Sequence, residues 1–273
     1  MSRGMSACPQ RKPWPLVREV FIVIDVTQRE NVGIFCVKHG KANALDVELC
    51  AALVDHLEEF RHSSVQAIVL TSEGPIFSAG VDLVRVLKEG PAYIRTFLPI
   101  LSKAFETLFC YPKPVVAAIN GHAIAGGCVL ACAADHRIMT RSPGRIGIPE
   151  MRVGVAFPAV ALEIMRFAAA PQDLQNLIYA GATFDPDQAR ERGLVDAVVE
   201  SGELRERAVS AANKLAALPP AAFALTKRQV RQPTLRRIRE DGPAFDMAVE
   251  EIWTDLKTLA AIREYVARTL KKS

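Results

Sequence analysis

Two glycine-punctuated segments, FSAGVDL (residues 77–83) and GHAIAGGCVL (121–130), each follow an apolar, strand-like run. Turns of that kind can aim bare backbone N–H groups at a single oxygen. Gly126 and Gly127 carry no Cβ, so a ligand can approach the main chain there, and a helix that starts at once offers its free N–H groups. Such donors stabilise an oxyanion. A third segment, IGIPEMRVGV (146–155), adds one carboxylate: Glu150 follows Pro149 among the apolar Ile146, Ile148 and Val153, a setting that raises a carboxyl pKa and suits it to proton transfer. Each feature alone has a plainer reading. Glycines also serve close helix–strand packing, and a Glu after Pro is often a solvated loop residue or a helix start.

Other chemistries fit worse. GHAIAG matches the GxxxxG half of a phosphate loop, but Gly127 and Cys128 stand where that loop needs Lys and Ser or Thr. No GxGxxG spacing marks a dinucleotide unit. The five histidines show no metal-ligand spacing, so no metal is expected. The formal charge of +4, from 34 basic and 30 acidic residues, is too small for a nucleic-acid footprint, although a phosphate-bearing small molecule remains compatible. Six cysteines, mostly inside apolar runs and without a CxxC pair, read as buried small hydrophobes in a reducing compartment. No stretch gives 18 uninterrupted apolar residues and no signal-peptide core opens the chain, so the expectation is a cytoplasmic protein without a membrane partner.

The elements that must position these groups alternate between strand and helix, which implies an α/β fold. Residues 1–16, with three prolines and no acid, read as a disordered extension. Residues 17–26 and 32–38 read as a hairpin across a polar turn at 28–31; 46–61 as a helix capped by Asp46; 66–72 and 114–120 as buried strands flanking a helix at 92–109; and 135–140 as the next strand. Helices follow at 159–167, 171–179 and 186–192, the last capped by Asp185, and a strand at 194–200 ends the mixed region. From residue 203 only helices are expected, interrupted at Pro219, Pro220, Pro233 and Pro243. The last of these places Val249, Ile252, Trp253, Leu256, Leu259, Ala260 and Ile262 on one broad apolar stripe.

The three segments in this order, together with KANALD (41–46), resemble the crotonase, or enoyl-CoA hydratase/isomerase, family over roughly residues 17–201. The resemblance implies a crotonase-like spiral of ββα units over 17–201, a helical oligomerisation region over 202–273, and homotrimers or dimers of trimers. It also implies an acyl-CoA thioester substrate, with coenzyme A part of that substrate and no separate cofactor. Carried over position by position, the N–H groups of Val81 and Gly126 would hold the thioester oxygen. Ala42 and Ala44 would line the adenine end of CoA; Ala79, Asp82 and Leu83 would shape the acyl entrance, and Gly127 would complete the glycine turn at the substrate. The acyl pocket walls are expected mainly in residues 84–100.

Glu150 is then the acid/base. The family's hydratases carry a second glutamate two positions after the glycine cluster, where this chain has Val129, and the dienoyl-CoA isomerases need a further acid where it has Pro158. A single carboxylate is the arrangement of 3-enoyl-CoA to 2-enoyl-CoA isomerases, the favoured expectation. Hydration of 2-enoyl-CoA is the alternative, with Glu73 or Asp82 as a displaced second acid, and a non-catalytic acyl-CoA-binding scaffold is a third reading. Asp82 is also a natural helix cap. Asp135 and Arg137 fit a strand-edge salt bridge better than a substrate contact, and Lys41, Arg85 and Lys227 are candidates for meeting CoA phosphates.

Overall fold

A computed structural model of the chain describes residues 23–270. The expected extension at residues 1–16, and residues 17–22 of the expected first strand, lie outside the described residues. The chain opens with β1 (Ile24–Arg29) and β2 (Val32–Val37), an antiparallel hairpin. Its turn is tighter than expected, because Gln28 and Arg29 stay paired with Gly33 and Val32, and Glu30 takes the left-handed conformation that closes it. Helix α1 (Val47–Arg61) follows, capped as expected by the Asp46 side chain accepting from the Leu49 N–H.

Three turns of one pattern come next. Each has a long strand, a short strand and a helix: β3 (Ala67–Ser72), β4 (Ile76–Ser78), α2 (Leu83–Phe109); β5 (Val115–Ile119), β6 (His122–Ile124), α3 (Gly126–Cys132); β7 (His136–Thr140), β8 (Ile146–Gly147), α4 (Glu150–Val153). The chain continues through α5 (Ala159–Ala168), α6 (Pro171–Tyr179), β9 (Thr183–Phe184), α7 (Pro186–Glu191) and β10 (Ala197–Val199). The long strands form a six-stranded sheet in the order β1-β2-β3-β5-β7-β10, parallel beyond the hairpin, and the short strands form a second sheet, β4-β6-β8-β9. Because each helix begins where a short strand ends, the starts of α2, α3 and α4 come together beside the small sheet.

Both faces of the large sheet are covered, which is why β3 and β5 read as continuous apolar runs. Ile68, Leu70, Val115, Ala117 and Ile119 point into the main core, while Val69, Val116 and Ala118 alternate to the other face and pack against Ala208, Val209 and Ala212 of α8 (Leu204–Ala216).

Three expectations change. Helix α2 starts at Leu83 rather than 92, its first turn capped by Asp82 and its two halves joined at a non-helical Gly90. Helix α9 (Pro220–Glu240) runs straight through Pro233, held by Arg231 and the buried Leu235 against the core, so tertiary contacts outweigh the lost backbone bond. The single terminal stripe is two helices, α10 (Gly242–Thr254) and α11 (Leu256–Leu270), because Asp255 leaves the helical conformation and caps the second one through the N–H groups of Lys257 and Thr258.

Candidate active site

The two glycine turns meet. A Cβ on Gly80, whose φ is +83°, would lie 2.8 Å from the Ala125 Cβ and 3.0 Å from the Gly126 nitrogen, so only glycine lets them approach. Leu45 fixes the direction of the first turn: its N–H donates to the Gly80 carbonyl at 2.8 Å and its carbonyl accepts from the Asp82 N–H at 3.0 Å. The bridge that pairs Leu45 with Val81 therefore leaves the Val81 N–H facing the opposite side of the chain. In the second turn Ala125 stands at φ +54°, ψ −127°, a backbone region that side chains rarely adopt and that costs about 1–3 kcal/mol. That strain lets α3 start abruptly at Gly126, whose N–H, at the first helical position, has no partner within the helix. Val81 and Gly126 border one cavity, and Ala79 and Leu83 border it with them.

Glu150 opens α4 on the same cavity. The residue is 9% exposed, and its Oε2 is buried without a hydrogen-bond partner. Burial pushes its pKa up to about 8, opposed only by a bond from its own backbone N–H. Among the described residues bordering the cavity, Glu150 is the sole carboxylate; the rest of the wall is almost wholly apolar, with Val129 fully buried beside it. The hydration alternative needs a second acid, and neither residue suggested for it borders the cavity: Glu73 lies exposed near Lys38, and Asp82 accepts the Arg85 N–H at 2.9 Å as the cap of α2.

The KANALD loop lies against the first turn. The Ala79 N–H donates to the Ala42 carbonyl at 3.0 Å, and Ala42 and Ala44 are half-buried outside the cavity. Asn43, which the sequence reading passed over, holds this loop: its side chain donates to the carbonyls of Glu73 and Ile76 and accepts from the His39 N–H, in a left-handed backbone conformation. An Asn flanked by alanines in a polar loop is a weak but real sign of such a turn. Gly127 does not border the cavity either. A Cβ there would come within 2.2 Å of the Ser78 carbonyl oxygen, so its smallness seats α3 on β4.

Of the cations offered for phosphate, Lys41 is exposed, Arg85 is engaged by Glu48 and Glu89, and Lys227 is buried with Asp135 at 2.6 Å. Asp135 and Arg137 make the expected structural pairs, the latter with Asp196 at 3.0 Å. The walls of this cavity come from outside the stretch that the sequence pointed to. No residue from 84–100 borders the cavity; Leu101 and Phe105 of α2 do, together with Trp253 of α10 and Tyr265 of α11. The stripe at 249–262 signalled that the terminal helices pack, but nothing local showed against what.

The same architecture occurs in solved proteins. The human mitochondrial delta3-delta2-enoyl-CoA isomerase superposes with a TM-score of 0.88 at 26% identity, covering 92% of this chain and 99% of that one. In sequence, human mitochondrial enoyl-CoA delta isomerase 1 is 29% identical over 220 residues, 80% of this chain and 73% of the relative. A putative enoyl-CoA hydratase of Thermus thermophilus is 32% identical over 191 residues, 68% of this chain and 75% of the relative. The model of the enoyl-CoA hydratase/isomerase family matches residues 29–258. The fold is the crotonase fold, and the chain belongs to the enoyl-CoA hydratase/isomerase family, a family of enzymes.

Proposed function

We propose that the protein moves the double bond of a 3-enoyl-CoA thioester to the 2-position. The observation that carries this reading is one buried carboxylate with an unpartnered oxygen, in an otherwise apolar cavity bordered by both oxyanion turns. Ionised Glu150 takes a proton from C2. The electron pair spreads through the dienolate onto the thioester oxygen, which accepts hydrogen bonds from the N–H groups of Val81 and Gly126, each worth about 3 kcal/mol in a dry site. The same carboxyl, now protonated, returns its proton at C4, so the double bond ends between C2 and C3 and the enzyme is restored. An apolar wall at Val129 and the lack of a second acid favour this return over addition of water.

The CoA moiety belongs to the substrate and no further cofactor or metal takes part. Ala42 and Ala44 lie toward its adenine end, on the loop that Asn43 holds, while Ala79 and Leu83 form the acyl entrance with Asp82 and Gly127 fixing the turns behind them. Residues 202–273 serve assembly into a homotrimer or hexamer, supported by exposed Leu225, Val230, Phe245, Met247 and Leu256 on the terminal helices. Light scattering tests the assembly.

Thioester absorbance and product analysis with 3-hexenoyl-CoA and crotonyl-CoA test the reaction. Conversion of the first to the 2-enoyl isomer is expected. Hydration of crotonyl-CoA at a comparable rate would replace isomerase with hydratase, and binding without turnover of either would leave a scaffold.

A further inference from the structure

The cavity bordered by Gly126 is also lined by Leu101 and Phe105 of α2 and by two residues from far along the chain, Trp253 and Tyr265. Its free volume is about 70 Å³. That is space for roughly two or three water-sized groups, and a methylene is of similar size. Trp253 is 3% exposed and its Nε1 donates to the Ala156 carbonyl at 2.8 Å. Ala156 lies in the segment that joins α4, which carries Glu150, to α5. The indole is thus tied to the stretch of chain that places the acid, and it forms a fixed wall rather than a swinging gate. Tyr265, only half-buried on α11, stands beside it. α11 itself rests on α4, where the Ala261 Cβ is 3.5 Å from the site a Cβ on Gly154 would occupy.

We infer that Trp253 sets the acyl-chain length of the substrate, restricting it to short, straight chains whose tail ends against the indole. This rests on the acyl-CoA reading above. A hydrophobic wall discriminates by clash and by lost contact, at roughly tenfold or more per methylene that does not fit.

The experiment measures kcat/KM for 3-enoyl-CoA thioesters of six, eight, ten and twelve carbons, alongside calorimetric binding of saturated acyl-CoA thioesters of the same lengths. The native enzyme should lose at least about tenfold for each two-carbon step beyond six carbons, in both series. Trp253→Leu, which keeps an apolar filling, and Trp253→Ala should each flatten that fall, whereas Trp253→Phe, which keeps most of the bulk, should preserve it. Near-ultraviolet circular dichroism identifies any variant that fails to fold, and Trp253→Leu then carries the test. A native profile equal from six to twelve carbons, or an unchanged fall in folded Trp253→Leu, overturns the inference while leaving isomerisation standing. Length-dependent binding that Trp253→Leu relaxes, with no product from any 3-enoyl thioester, retains the wall and removes the reaction.

Discussion

Glu150 and Asp135 are both carboxylates taken out of bulk water, and their surroundings could hardly differ more. Asp135 accepts from the Val115 N–H at 2.8 Å, from Lys227 at 2.6 Å and from Arg231 at 2.8 Å. Arg231 in turn donates to the carbonyls of Phe109, Ala133 and Ala134 and lies over the Phe109 ring, so the cluster has partners on every side. Glu150 has one unpartnered oxygen and an apolar wall. Desolvation brings Lys227 down to about 8 and Glu150 up to about 8, yet Asp135 restrains the first shift and no neighbouring cation restrains the second. A buried charge with a full set of partners fastens helix α9 to the sheet. A buried carboxyl without them is held ready to exchange a proton, at a cost that packing elsewhere must offset.

The contrast breaks most sharply at Glu150. Glu150→Gln keeps shape and removes the proton acceptor, so turnover should fall at least about 10³-fold while saturated acyl-CoA still binds; an unchanged rate would take the residue out of the mechanism. Asp135→Ala should do the reverse, costing about 3–5 kcal/mol of stability by stranding Lys227 and Arg231, as read by denaturant titration, with kcat in the remaining folded protein within a few-fold of native. Gly80→Ala forces the two glycine turns apart by the 2.8 Å contact with Ala125, and kcat/KM should drop about 10²-fold, more than any change in melting temperature predicts.

The pH profile sharpens the comparison further. Because Glu150 must be ionised to act and its pKa lies at about 8, kcat/KM should climb about tenfold per pH unit below that value and level off above it, and the climb should persist in Asp135→Asn. The smallest effect concerns stability. A carboxyl whose pKa rises from 4.5 to about 8 on folding binds its proton more tightly in the folded state. Its contribution is therefore fully present below pH 4.5 and is lost as pH climbs through about 8. Glu150→Gln, always neutral, should melt higher than native at pH 9 and by a smaller margin at pH 6, as followed by calorimetry; a lower melting temperature at pH 9 would mean that the ionised carboxylate has a partner after all.

Much of the positioning frame could be read from residues alone. Apolar runs announced β3 and β5, Asp46 and Asp185 marked helix starts by local capping, and the paired glycine segments with Glu150 pointed to an oxyanion and a base. These features depend on neighbours a few residues away, so composition and spacing encode them. The positive φ of Ala125 was hidden, since alanine is the wrong residue to suggest it and only the converging strands impose it. Pro233 looked like a stop and is not, because contacts from Arg231 and Leu235 hold the helix through it.

The pattern of strands, caps and glycine turns was set by the sequence itself, since each rests on short-range sterics and hydrogen bonding. Tertiary structure alone decided that Glu150 would be buried with one oxygen unpartnered and that Trp253, 103 positions later in the chain, would line the same cavity. Desolvation and cavity shape are sums over atoms brought together from distant segments, and no local pattern specifies which helix will supply the missing wall.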